Sequence, residues 1–306
     1  MTESPEVLVD IVMPYYGDVA MMREAVLSVL AQEDSRWRLT VVDDGVEPGV
    51  PEWFATLIAE RGDERVRYLR NRENLGIVGN FQRCLDLARA EFVTMIGCDD
   101  RMLPNYVGTV LDLYEKYPEA SQAQPGVEVI DGSGNVVLPL GDRMKRKLYA
   151  PKVVGTAEFG GEELAVSLLR GNWTYFPSIC WRTKPMRAIG FDQSLTICQD
   201  LAVTMELVRG GSTLAVGDTV CFSYRRHELS ESSAQAFSGA RFVEERAFFL
   251  AQAKLVDQLG WKQAARAGRR HFSSRLHAGS LLPGAILGFD AHSALSLFWY
   301  AFGPAR

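Results

Sequence analysis

The chain has 306 residues, 47% of them hydrophobic and 23% charged, with a formal net charge of −5. These values are ordinary for a globular protein and exclude intrinsic disorder, a collagen-like fibre and a low-complexity scaffold. A chain this long buries a sizeable core without disulfides or a structural metal, and its acidic balance leaves no general basic footprint for nucleic acid.

Val7 to Met13 is a β-branched run that ends at Pro14 and reads as a first strand. Asp18 is placed to cap a helix whose apolar face is Met22, Val26, Val29 and Leu30. A second strand follows at Arg38 to Val42, a helix at Glu52 to Ala59 and a third strand at Val66 to Leu69. Ile77, Phe81, Leu85 and Ala88 recur at helical spacing, and Phe92 to Ile96 is an almost wholly apolar fourth strand. Val107, Val110, Leu111 and Tyr114 mark a helix that opens at Pro104 and stops at Pro118. Strands joined by single helices imply right-handed crossovers and a mostly parallel sheet. Ligands of such sheets sit beyond the carboxyl ends of the strands. The polar clusters Pro14 to Asp18, Asp43 to Gly45 and Gly97 to Arg101 fall at those ends.

The middle of the chain is less regular. Asp131 to Asn135 (DGSGN) is a turn between strand-like runs, and Asp142 to Lys152, with five Lys or Arg, reads as an exposed loop. Trp173 to Trp181 reads as a strand with its approach loop. Leu201, Met205 and Val208 share a helix face that ends at Gly210 and Gly211. Thr213 to Val216 and Val220 to Tyr224 read as two further strands. Beyond residue 228 the pattern becomes helical: Phe242 to Leu259 is a long helix, and Trp261 to His277 carries five cations and no acid. The tail from Leu281 to Phe302 is apolar and is interrupted by Pro283, Gly284 and Gly288.

No apolar run reaches the about 18–20 residues of a spanning helix, and Met1 to Pro5 lacks a basic-then-apolar leader. The five cysteines form no C-x-x-C pair, which suits a reduced, cytoplasmic protein that uses them as small apolar residues.

Three clusters in order, DIVMPYYGD (Asp10 to Asp18), VVDDG (Val41 to Gly45) and NLGIVGNFQRCLDLARAEFVTMIGCDD (Asn74 to Asp100), together resemble the family 2 glycosyltransferases of the GT-A fold. The resemblance runs from about Val7 to Arg226. It implies an α/β fold, with a mostly parallel central sheet flanked by helices and a C-terminal helical extension. Residues 1–227 would then be the nucleotide-sugar-binding and catalytic domain, and residues 228–306 the extension. The resemblance also implies a nucleotide-sugar donor, UDP- or dTDP-linked, and a hydroxyl acceptor that is a saccharide, a lipid-linked molecule or a small molecule. On its motifs, Pro14, Tyr15, Tyr16, Asp43, Asn74, Gly76, Asn80 and Asp99 would bind the nucleotide. Tyr16 would stack on the base, and Asp43 would accept from a pyrimidine N–H.

Asp99 and Asp100 are the strongest chemical signal. Adjacent carboxylates repel unless a cation neutralises them, and carboxylates with diphosphate oxygens suit Mg²⁺ or Mn²⁺. The family's D-x-D-D has Gly97 at its first position here, so one acid of the pattern is missing. In GFDQSLTICQD (Gly190 to Asp200) the family commonly has a Glu-Asp pair at a helix start, and this chain has Gln199 and Asp200. Asp200 matches the general base of an inverting transfer. In YRRH (Tyr224 to His227), Arg226 would bind phosphate and His227 would complete the metal shell. Trp173, Tyr175 and Gln199 would contact the acceptor. The alternative is a family member that binds a nucleotide sugar without transferring it. For the extension, packing on the catalytic domain, homodimer formation and peripheral contact with the inner face of the membrane all stay open.

Overall fold

Seven residues, Val9–Tyr15 (β1), are buried at every position but Pro14, the pattern of a strand covered on both faces. In the computed structural model, which describes residues 6–226, 239–287 and 291–303, this strand is central to a ten-stranded sheet. The first half alternates as its sequence predicts: α1 (Val19–Leu30), β2 (Trp37–Asp43), α2 (Val50–Arg61), β3 (Val66–Arg70), α3 (Gly76–Leu87), β4 (Phe92–Met95) and, after the two-residue β5 (Arg101–Met102), α4 (Tyr106–Lys116). Asp18 caps α1 by accepting the Met21 N–H at 2.8 Å.

The second half adds β6 (Ala120–Ile130), β7 (Val136–Val137), α5 (Leu140–Leu148), β8 (Thr156–Phe159), α6 (Gly161–Arg170), β9 (Cys180–Arg182), α7 (Thr183–Ile189), α8 (Gln199–Arg209) and β10 (Thr213–Arg225). The order across the sheet is β3-β2-β1-β4-β9-β6-β10-β5. β3, β2, β1 and β4 are mutually parallel. β9 is antiparallel to both β4 and β6, and β10 is parallel to β6. Six strands therefore end at one edge of the sheet, which brings Tyr15, Asp43, Asp99, Asp100 and Arg225 to the same side.

Alternation along the strands feeds two cores. Val9, Ile11, Met13 and Tyr15 pack with α1, α2 and α4. Val12, Val42, Val93 and Met95 face α3, α7 and part of α8.

Three segments differ from the sequence reading. Asp142 to Lys152 is not an exposed loop, because α5 covers its first half. That helix docks through polar contacts: Asp142 is buried, and Arg146 donates to the Val127 carbonyl at 2.6 Å. It has no apolar stripe for periodicity to detect. The two strands expected in 213–224 are one strand, β10, with register shifts where it passes Gly126. A Cβ there would lie 2.5 Å from the Asp218 carbonyl, so glycine permits the close approach. The apolar tail is not interrupted at Pro283 and Gly284, because the helix Phe272–Leu287 runs through both, and a further helix covers Ala291–Phe302.

The extension comprises α9 (Gly239–Gln258), α10 (Lys262–Arg270), α11 (Phe272–Leu287) and α12 (Ala291–Phe302). Phe248, Phe249 and Val256 of α9 and Ala264 and Ala265 of α10 share one core with α6, α8 and β10. Glu162 of α6 accepts the Gln263 N–H at 2.6 Å, at the start of α10.

Candidate active site

At the ends of β1 and β2 the two tyrosines divide their roles. Tyr16 is 64% exposed at the rim. Tyr15 points the other way and is fully buried, with its hydroxyl donating to the Gly17 carbonyl at 2.9 Å. Its ring belongs to the core, so of the expected base contacts only Tyr16 offers an open aromatic face. Pro14 is half-buried within β1, opposite Val42. Asp43 is completely buried: one oxygen accepts the Gly45 N–H at 2.8 Å, and the other accepts the Tyr68 hydroxyl at 2.5 Å and lies 3.3 Å from Arg70 Nε. A side chain at Gly45 would press on Asp43 Oδ1 at 3.3 Å and meet the Tyr16 ring at 3.7 Å, so glycine keeps the space between them clear.

Asn74, Gly76 and Asn80 come to the same place, where they fasten α3 to the end of β2. Asn80 Nδ2 donates to the Val42 carbonyl at 3.0 Å, and Asn74 Nδ2 donates to the Asp44 carbonyl at 3.0 Å. Asn74 Oδ1 accepts the Gly76 N–H at 2.9 Å, and Gly76 takes φ +69°, a conformation that favours glycine. Asp44 is the hub that sequence reasoning left out of the site: its carboxylate accepts from the Leu75 N–H at 2.9 Å and from Asn71 Nδ2 at 2.8 Å.

The acid pair follows β4. Asp100 is buried, and its Oδ1 accepts the backbone N–H of Arg225 at 2.8 Å. Its Oδ2 is buried without a hydrogen-bond partner among the described residues. Burial, and then the neighbouring Asp99 charge, push its pKa well above the ordinary carboxylate range. A Cβ at Gly97 would stand 2.6 Å from Asp100 Oδ2 and 2.8 Å from Asp99 Oδ1. The two carboxylates thus fold over the position where the family pattern has its first acid.

Arg225 organises this corner and was missed within YRRH. Its buried guanidinium donates to the carbonyls of Asp99 (2.6 Å), Asp131 (3.2 Å) and Gly132 (3.1 Å), and pairs with Glu24. Among the described residues no cluster of three or more His, Cys, Asp or Glu is arranged around a metal. Two carboxylates with an orphaned buried oxygen nevertheless fit a hard divalent cation whose other ligands are water and diphosphate. His227, the expected third metal ligand, lies outside the described residues.

Asp200 is the second residue of α8. Its Oδ1 accepts the Leu201 N–H at 2.7 Å, and its Oδ2 accepts Asn172 Nδ2 at 3.1 Å. Burial raises its pKa, and the positive charge of Lys145 on α5 opposes that shift. Lys145 also faces Arg226 and Asp142, and burial followed by the Arg226 charge holds its own pKa down. Arg226, expected to bind phosphate, is gripped by Asp142 through bonds of 2.7 and 2.9 Å.

The expected acceptor contacts are mostly internal. Trp173 is buried against α6 with its indole N–H on Ser167 Oγ at 3.2 Å. Tyr175 is buried with its hydroxyl donating to Asp142 at 3.0 Å. Gln199 is buried beside Asp200, with its Nε2 donating to the Thr196 carbonyl at 3.4 Å.

The acid next to this helix start comes from the extension instead. Glu244 of α9 accepts the backbone N–H groups of Thr196 (3.1 Å), Ile197 (2.7 Å) and Cys198 (2.9 Å). No periodicity in the sequence points to that contact.

Residues 10–154 match the family model "Glycosyl transferase family 2". WcaA of Escherichia coli, which bears the name of a colanic acid biosynthesis glycosyl transferase, is 30% identical over 104 residues, 34% of this chain and 37% of that one. The chain spans about a third of the length of the curated relatives it matches at this level. Staphylococcus aureus TarS (residues 1–349) superposes with a TM-score of 0.66 at 14% identity, covering 97% of this chain and 81% of that one. The same fragment has been solved with UDP-GlcNAc. The mannosyltransferase PcManGT of Pyrobaculum calidifontis, solved with GDP-Man and Mn²⁺, gives 0.60 at 12% identity, covering 98% and 84%. At such identities the likeness is one of fold, and the fold is GT-A.

Proposed function

From the match of residues 10–154 to the family 2 glycosyltransferase model, we propose that the chain is a glycosyltransferase of that family and that it transfers a sugar, with inversion, from a UDP- or dTDP-sugar to an acceptor hydroxyl. The observation that carries this reading is the acid corner. Asp100 keeps a buried, unpartnered oxygen beside Asp99, at the same sheet edge as the exposed Tyr16 ring and the Asp43 carboxylate. The solved structures of TarS with UDP-GlcNAc and of PcManGT with GDP-Man and Mn²⁺ support a nucleotide sugar and a divalent cation at this fold's site.

In this reading Tyr16 stacks on the base, while Asp43, held by Tyr68 and Arg70, accepts from it. Asp99 and Asp100 would hold Mg²⁺ or Mn²⁺, which would supply Lewis-acid neutralisation of charge on a diphosphate. Asp200 takes the proton of the acceptor hydroxyl as that oxygen bonds to the anomeric carbon. The bond from that carbon to the diphosphate breaks, and its electron pair leaves with the nucleoside diphosphate. Asn172 and the Leu201 N–H orient the Asp200 carboxylate. Asp200→Asn is expected to abolish transfer while leaving nucleotide affinity intact, and normal turnover in that variant would refute the role. The reading of a binder without transfer draws on Gly97 and Gln199, and sugar transfer by the unaltered chain would eliminate it.

All five cysteines are unpaired and four are buried, which supports a reducing compartment such as the cytoplasm. Among the described residues no helix is long and apolar enough to cross a membrane.

A further inference from the structure

The last two helices leave much apolar surface open. On α11, Phe272, Leu276 and Leu287 lie along one helix face and are exposed. On α12, Leu295, Trp299 and Phe302 recur every three or four residues and are also exposed, Trp299 at 61% and Phe302 at 64%. The opposite faces of these helices are used: Ala278 and Ala301 pack with Phe242, and Arg275 ties α11 to the carbonyls of Ala301 (3.0 Å) and Gly303. The hairpin is thus anchored to α9 by one side and, among the described residues, unpartnered on the other.

The charge next to it is one-sided. Residues 261–306 hold six of the chain's 33 Lys and Arg and one of its 38 Asp and Glu, a local charge of +5. The preceding 260 residues therefore sum to −10 within the total of −5. On α10, Arg266, Arg269 and Arg270 share an exposed face, and no ion pair among the described residues engages them. A two-fold contact with a second copy would set this cationic segment against itself. An anionic lipid surface is opposite in charge and accepts apolar side chains at its boundary.

We propose that the α11–α12 hairpin docks on an anionic membrane surface, with the apolar stripes at the acyl boundary and the α10 arginines among the headgroups. Neither helix needs to span the bilayer. This inference stands apart from the transferase reading, since it concerns a surface built from other residues.

The test is flotation of the full chain with vesicles of phosphatidylcholine alone or mixed with phosphatidylglycerol, alongside sedimentation without lipid. Co-flotation only with the anionic vesicles, reversed by high salt, is expected. Replacing Arg266, Arg269 and Arg270 together by Gln should lower the partition coefficient about 100-fold. Trp299→Ser with Phe302→Ser should abolish binding at low salt. Both sets are exposed, so the fold is spared, which thermal melting checks. Absence of flotation under every condition, or equal flotation with neutral vesicles, would overturn the proposal. A dimer that dissociates in the Trp299 and Phe302 variant, without flotation, would assign the surface to a second copy instead.

Discussion

The carboxylate of Glu244 accepts the backbone N–H of Cys198 at 2.9 Å, and Cys198 is the N-cap of the helix on which Asp200 stands. Cys198 has no side-chain cap of its own, so an acid from the extension supplies the negative charge that a helix N-terminus favours. Glu244→Ala should therefore cost about 1–2 kcal/mol of stability and lower kcat with little change in nucleotide affinity. Glu244→Gln keeps an acceptor oxygen and should recover part of the loss. Steady-state kinetics with calorimetric nucleotide binding separates the two effects.

Gly97 has no room for a side chain. Gly97→Ala places a Cβ 2.6 Å from Asp100 Oδ2 and 2.8 Å from Asp99 Oδ1, so one or both carboxylates must move. Metal-dependent nucleotide binding should weaken by about 10–100-fold, while metal-free binding changes little. Titration with Mn²⁺ and with EDTA distinguishes the outcomes.

The pH dependence follows from Asp200, which acts only when ionised. Burial raises its pKa, so the acidic limb of kcat/KM should lie above the ordinary carboxylate range of about 4. Lys145 opposes that rise, and Lys145→Met should move the limb to higher pH. Because the folded-state pKa is raised, ionising Asp200 costs stability as pH climbs from the unfolded value through the folded one. The stability of Asp200→Asn relative to the unaltered chain should accordingly rise as pH climbs through that range, which melting curves at several pH values check. A difference in melting temperature that does not change with pH would contradict the raised pKa.

Asp10, the first residue of the opening motif, is structural. It is buried, takes a bidentate pair from Arg38 at 2.8 Å, and accepts the N–H groups of Arg89 (2.5 Å) and Ala90 (2.7 Å). Asp10→Ala strands Arg38 and two amides, and should cost about 3–5 kcal/mol in chemical denaturation.

Most of the first 118 residues were legible because β1 and β4 are apolar runs and α1, α3 and α4 carry buried stripes, whereas the two-residue β5 (Arg101–Met102) leaves no pattern in the sequence. Asp43, Asn74, Gly76, Asn80, Asp99 and Asp100 are the residues the motifs point to, and the fold gathers them at one sheet edge. The middle was not legible for a physical reason. α5 docks by the Asp142–Arg226 pair and by Arg146 on a backbone carbonyl, contacts that leave no hydrophobic period. Trp173 and Tyr175 were expected at the acceptor because aromatics stack on sugars, yet both fill core space. Glu244 and Cys198 are 46 residues apart in sequence, and Arg225 looks like its neighbour Arg226 until the fold buries one and pairs the other with Asp142.

The most direct measurement is calorimetric titration of UDP and dTDP in the presence of Mn²⁺, Mg²⁺ or EDTA, on the unaltered chain and on Asp99→Asn and Asp100→Asn. Binding of one nucleotide that requires the metal and is lost in both variants is the expected result. Failure of either nucleotide to bind with either metal, or binding that EDTA and both variants leave unchanged, would contradict a metal-assisted donor site at this corner.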